Sequence, residues 1–549
     1  MRILLVSHNV PPHGNAGTET YTSDLSRELA RRGHDVAVFA AKKDILRKDG
    51  RVLVRQDGPV EIREIVNNLY HAHFRGTWEN ERVEIAFADL LRAHRPDVVH
   101  VQHLMYLSAG CVGLARDFGA RVVFTLHDYW LTCARLGQRV HSDGGLCHTV
   151  DFARCGTCLV DHPWTQPWAA RAVGPVIAAL HETTGLDLGD TARRARLYFA
   201  PKGSGSPHAQ AARTAPPVAP SKAPSTTGAD PRSAVAPYRA GPAALESVEP
   251  VRHDAAASVA SDVADPVASD LAASVASDVA ASVASDVAAS VASDLADPAA
   301  RELAGQAAER WRELRERVGA RVDLFLAPSR FLRDRFVAEW GIEPERIELL
   351  RFGFDRAQFS GVRRPAADGR LRVGFLGTLV PLKGPHVLLE AWRRIPDAIR
   401  ARGRLVLCGP ARYGPEYQEH LLELARASGA EIPGPLRRDE VGPFLLATDL
   451  LVVPSLWFEN SPLSIQEAIA CRTPLLVSDL GGMAELVVPG ENGLRFPAGD
   501  VDALSAILVR ALEGRAGLAD LYTNSSPLPT FAEHVDAVVE RYARKESRP

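Results

Sequence analysis

Short β-branched and apolar runs alternate with helical periodicity from Arg2 to Asp128. RILLVS is followed by apolar positions at Tyr21, Leu25 and Leu29, then by DVAVFA, DVVHVQH and RVVFTLHD. Arg32-Gly33-His34 closes the first helical stretch with glycine in its usual C-terminal place. Continuous apolar strands separated by helices predict a parallel sheet covered on both faces. The polar residues that end those strands stand where ligands bind in such sheets. A second alternation begins near Arg370, with RLRVGFLG, RLVLCG, LLVVPS, PLLVSD and NGLRFP as strands. The pattern predicts an α/β chain of two doubly wound, Rossmann-like domains facing a cleft, with a long insertion.

Between the two alternations the pattern weakens after Thr165 and is lost from Pro201 to about Ala300. The first part is rich in Pro, Ala, Ser and Gly and reads as a flexible linker. The second is an octapeptide repeat, VASDVAAS, with Val or Leu at every fourth position from Val259 to Leu295. Pro266 and Pro298 interrupt it and no large side chain offers a core, so disorder or a marginal helix is expected. The expected domains are residues 1–200, the insertion 201–300, a return to the first domain over 301–345, a second Rossmann-like domain over 346–525, and a helix over 526–549 that crosses back to the first domain.

A formal net charge of -3 over 549 residues excludes the basic surface of a dedicated nucleic-acid binder. The apolar opening is too short for a signal-peptide core, and no run reaches the roughly 20 apolar residues of a membrane span. A cytoplasmic protein is expected, at most peripheral to the inner face of a membrane. Seven cysteines do not make a disulfide framework in a chain of this length. Four of them, Cys133, Cys147, Cys155 and Cys158, nonetheless cluster as C-x13-C-x7-C-x2-C. That spacing is compatible with a structural zinc, with His141 or His148 as substitute ligand. It is equally compatible with free thiols, and less so with an iron–sulfur cluster or disulfides.

The segment WFENSPLSIQEAIACRTPLLVSDLGGMAELVVPGENG joins two carboxylates, a helix start and a glycine pair in one order. Glu459 follows the strand LLVVPS. Ser461-Pro462 reads as a helix start, with Ser as N-cap and Pro at the first helical position. Glu467 lies about a turn and a half into that helix. One carboxylate can face a ligand at the strand tip while the other reaches a group beside the helix. The N–H groups of Leu463 and Ser464 open onto the same space, where a helix N-terminus favours an anion such as a diphosphate.

The Glu-x7-Glu spacing, followed by Ala-Ile-Ala-Cys-Arg-Thr-Pro and Gly481-Gly482-x-x-Glu485, resembles the family 4 retaining glycosyltransferases of the GT-B fold. The resemblance covers Met1 to about Asp128 and Arg321 to about Gly514. It implies that Glu459 sits by hydroxyls of a donor sugar and that Glu467 holds ribose hydroxyls. In FLGTLVPLKG it implies Gly377, Thr378 and Lys383 at the diphosphate, with Lys383 stabilising the leaving group. The family more often has Arg where this chain has Thr378, so one charge is missing, and Arg351 or Arg412 is a candidate substitute. In PPHGNAGTETY, Gly17 matches the second glycine of the family's Gly-Gly-x-Glu loop, with Ala16 in place of the first. His127 matches a histidine that meets the donor sugar across the cleft, and His103 and Asp128 are candidates for the acceptor side.

The implied reaction moves a sugar from a UDP-, GDP- or ADP-sugar to a hydroxyl of a glycan or lipid-linked acceptor, in cell-surface polysaccharide, glycolipid or glycoconjugate synthesis. No protein nucleophile and no catalytic metal is implied. Two rival readings share the fold: a phosphorylase or nucleotide-sugar epimerase, and an inactive sugar-nucleotide-binding subunit, which the missing arginine would suit.

Overall fold

The computed structural model describes residues 1–14, 17–160, 162–185, 297–355, 359, 361, 368–411, 413–514, 516–522 and 528–544. The linker and the octapeptide repeat lie outside them. In the first domain β1 (Arg2–Ser7), β2 (Asp35–Lys42), β3 (Val52–Asp57), β4 (Val60–Val66), β5 (Val98–Val101), β6 (Arg121–Thr125), β7 (Leu324–Ala327) and β8 (Ile347–Leu349) form one sheet. Its order is β3-β4-β2-β1-β5-β6-β7-β8. All neighbours run parallel except β3 and β4, which form an antiparallel edge. Strand β1 is apolar on both sides because both sides are covered. Leu4 and Val6 join Ala37 and Phe39 in one core cluster, while Ile3 and Leu5 join Val36 and Val38 in another.

The second domain has β9 (Leu371–Leu376), β10 (Gly403–Cys408), β11 (Glu431–Gly434), β12 (Leu450–Val453), β13 (Leu475–Ser478) and β14 (Gly493–Phe496). They are parallel throughout, in the order β11-β10-β9-β12-β13-β14. In each sheet the winding reverses, between β1 and β5 and between β9 and β12. A crevice at the carboxyl ends of the strands follows from such a reversal.

Two helices close the first domain from distant parts of the chain. The helix Phe531–Ala543 starts with a capping box, Thr530 and Glu533 each accepting from the other's backbone N–H. It then buries Val535, Val538 and Tyr542 against Ile3 and Leu5 of β1. Its polar residues bond inward as well: His534 Nε2 lies 2.8 Å from Tyr21 Oη, and Tyr542 Oη lies 2.6 Å from His100 Nδ1. The helix Pro298–Leu314 packs on the helix Phe152–Val160, so closely that a Cβ at Gly156 would fall 2.1 Å from the Ala300 carbonyl. Here the structure corrects the sequence reading. Pro298 begins a helix, with Asp297 as its N-cap, because a proline's missing N–H costs nothing in the first turn. Residues 298–300 therefore belong to the packed domain.

Candidate functional site

Lys383 ends the short turn Pro381–Lys383, and its neighbour fixes that turn in place. Gly384 has φ +67°, and a Cβ there would fall 2.0 Å from the Pro454 carbonyl, so only glycine lets the turn press against the loop leaving β12. Lys383 Nζ then stands 2.5 Å from Glu459 Oε1. The same oxygen accepts the Trp457 indole N–H at 2.8 Å and the Ser455 hydroxyl at 3.3 Å. The glycine pair of the motif supports Glu459 from behind. Gly482 N–H donates to the Glu459 carbonyl at 2.7 Å, and Gly481, at φ +62°, would put a Cβ 2.8 Å from that carbonyl oxygen.

The helix beside Glu459 runs Leu463–Ala470 with Pro462, in extended conformation, at its N-cap. Ser461 is therefore not the cap, and its hydroxyl accepts instead from Gln466 Nε2 at 2.9 Å. Leu463 and Ser464 are the first helical residues and precede Ile465, whose N–H donates to the Pro462 carbonyl at 3.2 Å. Glu467 is buried one turn further on. Burial raises its carboxyl above the usual range, and Arg438, with Nη1 3.6 Å away, offsets part of that rise. Gly377 and Thr378 follow β9 and line the cleft. The tight approach is at Gly409 rather than Gly377: a Cβ on Gly409 would fall 1.8 Å from the Gly377 carbonyl, whereas one on Gly377 meets nothing closer than 3.6 Å.

From the first domain, Gly17 begins the helix Gly17–Arg31 and faces Leu463; a Cβ on it would lie 3.9 Å from Leu463 Cδ1. Two helix N-termini thus converge on one space. The His127 ring sits between Tyr21 and Phe352, with centroids 5.3 Å from each. Its Nε2 is 2.9 Å from Gln102 Oε1, and burial holds its pKa well below the usual value, so the ring is neutral near pH 7. The His127 carbonyl accepts from Asn460 Nδ2 at 2.9 Å, a bond that ties the loop carrying Glu459 to the first domain. Next to it, Asp128 Oδ2 lies 3.0 Å from His103 Nε2. Because His103 Nδ1 accepts the Met105 N–H at 2.9 Å, Nε2 carries the proton and donates to Asp128. Burial works to raise the Asp128 carboxyl, but His103 and the Trp130 N–H outweigh it and hold the pKa low.

These residues line one cleft of about 840 Å³, which takes in Gly17, Tyr21, His127, Asp128, Gly377, Thr378, Lys383, Trp457, Glu459, Leu463, Ser464 and Glu467. Arg438 also lines it; Arg351 does not, and its carbonyl accepts from His534 Nδ1 at 2.9 Å. Arg412 and Ala16 lie outside the described residues. A second hollow, about 550 Å³ around Arg2, Arg92, Arg95 and Asp97, sits at the opposite ends of β1 and β5 and brings no catalytic set together. Trp457, Ser455, Asn460, Gln102 and Arg438 were not legible as site residues. Trp457 and Asn460 flank Glu459 in the motif, but nothing in their spacing says that they bond to it or across the cleft.

The four-cysteine segment folds against the first domain, where Cys133 and Cys155 pack on its core. Cys158 Sγ lies 3.5 Å from His141 Nδ1, and Cys147 Sγ lies 3.2 Å from the Thr149 carbonyl. Burial raises the thiols of Cys147, Cys155 and Cys158. Among the described residues no three His, Cys, Asp or Glu side chains are grouped to hold a metal ion. The segment also makes a structural contribution of its own. His148 packs edge-on against Phe458 at 5.4 Å, and the His148 carbonyl accepts from Arg335, whose guanidinium lies 4.7 Å over the Phe458 ring. Phe458, the residue before Glu459, is thereby buried in the core of the first domain.

The cleft, its two sheets and its motif agree with comparison to known proteins. Residues 15–148 match the profile described as Glycosyltransferase Family 4, and residues 362–526 match Glycosyl transferases group 1. The chain belongs to the family 4 glycosyltransferases, with the GT-B fold. A D-inositol 3-phosphate glycosyltransferase of Rhodococcus opacus is 30% identical over 247 residues, covering 41% of this chain and 54% of the relative. One from Kribbella flavida is 30% identical over 211 residues, covering 35% and 50%. The chain thus spans about half the length of the curated relatives it matches. Among solved structures, Anabaena Alr3699/HepE in complex with UDP and glucose superimposes with a TM-score of 0.52 at 13% identity, covering 98% of this chain and 99% of the other. The OtsA apo structure gives 0.50 at 11% identity, covering 100% of both. Both likenesses concern the fold.

Proposed function

We propose that this chain transfers a sugar from a nucleotide-diphosphate sugar to an acceptor hydroxyl with the anomeric configuration kept. The observation that carries the reading is the meeting of Lys383, Glu459, Glu467 and the start of the helix Leu463–Ala470 in one cleft. Glu467 accepts from the donor ribose hydroxyls, and Glu459 accepts from hydroxyls of the sugar to be moved. The diphosphate lies between them, at Lys383 and the N–H groups of Leu463 and Ser464. As the glycosidic bond breaks, positive charge grows on the sugar and negative charge on the leaving diphosphate. Groups already aimed at that oxygen stabilise it without reorganising. The acceptor attacks on the face the phosphate leaves, and its proton passes to the departing phosphate oxygen, so no protein nucleophile is used. His127, neutral, bonds a sugar hydroxyl from the opposite wall. Asp128, held by His103, receives the acceptor hydroxyl. The acceptor in this reading is a glycan or a lipid-linked acceptor, in cell-surface polysaccharide, glycolipid or glycoconjugate synthesis.

The test is a thermal-shift panel of UDP-, GDP- and ADP-sugars, followed by transfer to a panel of glycan acceptors and to D-inositol 3-phosphate. Anomeric configuration is read by NMR, with and without chelator. A donor that raises the melting point and a retained anomer formed in chelator support the reading. An inverted product, activity that needs manganese, or sugar nucleotides that bind without turnover would overturn it.

A further inference from the structure

Glu459 Oε1 is shared by three donors, and one of them has a second task. Resting on the donor-binding reading above, we infer that Trp457 is a positioning residue: its indole N–H, with Ser455, holds the Glu459 carboxylate while Lys383 turns from it to the donor diphosphate.

The argument begins with charge. Lys383 Nζ lies 2.5 Å from Glu459 Oε1, and the Glu459 side chain is only 9% exposed. A diphosphate entering beside Lys383 carries more negative charge than one carboxylate and draws the ammonium towards itself. A carboxylate this buried then loses its cation and must swing out, take up a proton or find other donors. Two donors are in place already, Trp457 Nε1–H at 2.8 Å and Ser455 Oγ at 3.3 Å. Ser455 is fully buried. The indole N–H has no acceptor role and a fixed direction in a flat ring, so it can hold Oε1 in only one way, leaving Oε2 for the sugar.

The backbone builds this pairing locally. Glu459 N–H donates to the Trp457 carbonyl at 2.9 Å, a tight turn that brings the indole and the carboxylate to the same side. The Lys383 ammonium lies 5.9 Å from the centre of the Trp457 ring, so the aromatic face also borders the path along which the charge moves. A ring that merely filled the cleft wall would need no N–H. Trp457→Phe therefore separates the two roles, since it keeps most of the ring and removes only the donor.

The experiment uses the full chain and the pairs UDP and UDP-glucose, GDP and GDP-mannose, ADP and ADP-glucose. The pair that stabilises the wild type is carried into calorimetry and into single-turnover hydrolysis of the nucleotide sugar. Trp457→Phe is expected to melt like the wild type and to bind the free nucleotide within about twofold. It should lose about tenfold in affinity for the nucleotide sugar and in hydrolysis rate, the loss expected of one hydrogen bond to a charged acceptor. Ser455→Ala should show a smaller loss of the same kind. Added to Glu459→Ala, Trp457→Phe should cost nothing further, because its partner is gone. Equal losses for nucleotide and nucleotide sugar, additive losses with Glu459→Ala, or no loss at all would overturn the inference and leave the donor reading standing. If no nucleotide sugar binds the wild type, the donor reading falls and this inference with it.

Discussion

Lys383 and Glu467 line the same cleft and answer to different physics. Lys383→Ala removes a cation from a partly exposed position while Trp457 and Ser455 stay on Glu459, so the fold should survive. Turnover should fall roughly a hundred- to a thousandfold, the usual cost of losing one aimed stabiliser of developing charge. Single-turnover transfer at saturating donor, beside a melting curve, reads both. Glu467 is the opposite case, a carboxylate whose pKa burial raises. The folded state therefore binds its proton more tightly than the unfolded state does. The charge costs stability above the folded-state pKa, and that cost is lifted as pH falls to the unfolded value. Glu467→Gln should accordingly melt above the wild type at pH 7, with the gap closing on acidification, while its donor KM rises about tenfold. Melting curves and kinetics from about pH 4 to 8 take in the unfolded glutamate's value of about 4.3. Glu467 and Lys383 were legible as site residues because strand, helix and motif order fix their places. Trp457 was not, because a tryptophan beside a strand end is as easily a packing residue.

At the scale of elements, the glutamate that follows the glycine pair does unexpected work. Glu485 accepts from the backbone N–H groups of Arg330 and Phe331, capping the start of the helix Arg330–Arg335 in the other domain. Ser329 caps the same helix from within, accepting from Leu332 N–H at 3.2 Å. Glu485→Ala should lower stability by about 1–2 kcal/mol, the range of lost caps, with little change in turnover per folded molecule. Differential scanning calorimetry with active-site titration separates the two. Strand runs such as LLVVP and RVVFT announced themselves by apolar continuity. The helix starts were less readable: Ser461-Pro462 looked like a cap followed by a first helical residue, yet the extended Pro462 moves the start to Leu463. Pro298 looked like an interruption and is a beginning. A proline's meaning depends on which side of it the chain packs, and sequence alone does not say.

At the scale of the molecule, the insertion is expected to be dispensable for ligand binding in the cleft. The first domain resumes with the helix Pro298–Leu314, capped by Asp297, and the stretch before it has few aromatic or large aliphatic side chains for a core. Deleting residues 204–292 and joining the ends through a short Gly-Ser linker should leave donor affinity within about twofold, by calorimetry. A deletion protein that melts normally but binds no donor would show that the insertion reaches the cleft.

The other long-range connection cannot be cut in this way. Val535, Val538 and Tyr542 complete the apolar layer over Ile3 and Leu5, so β1 is sealed by a helix made long after it. During synthesis β1 leaves the ribosome long before its cover exists. Even after β8 has emerged, at about 5–20 residues per second the wait for Tyr542 is roughly ten to forty seconds. Through that interval the nascent chain carries an open apolar face, the kind of surface that aggregates or that chaperones hold, and slow translation lengthens the exposure.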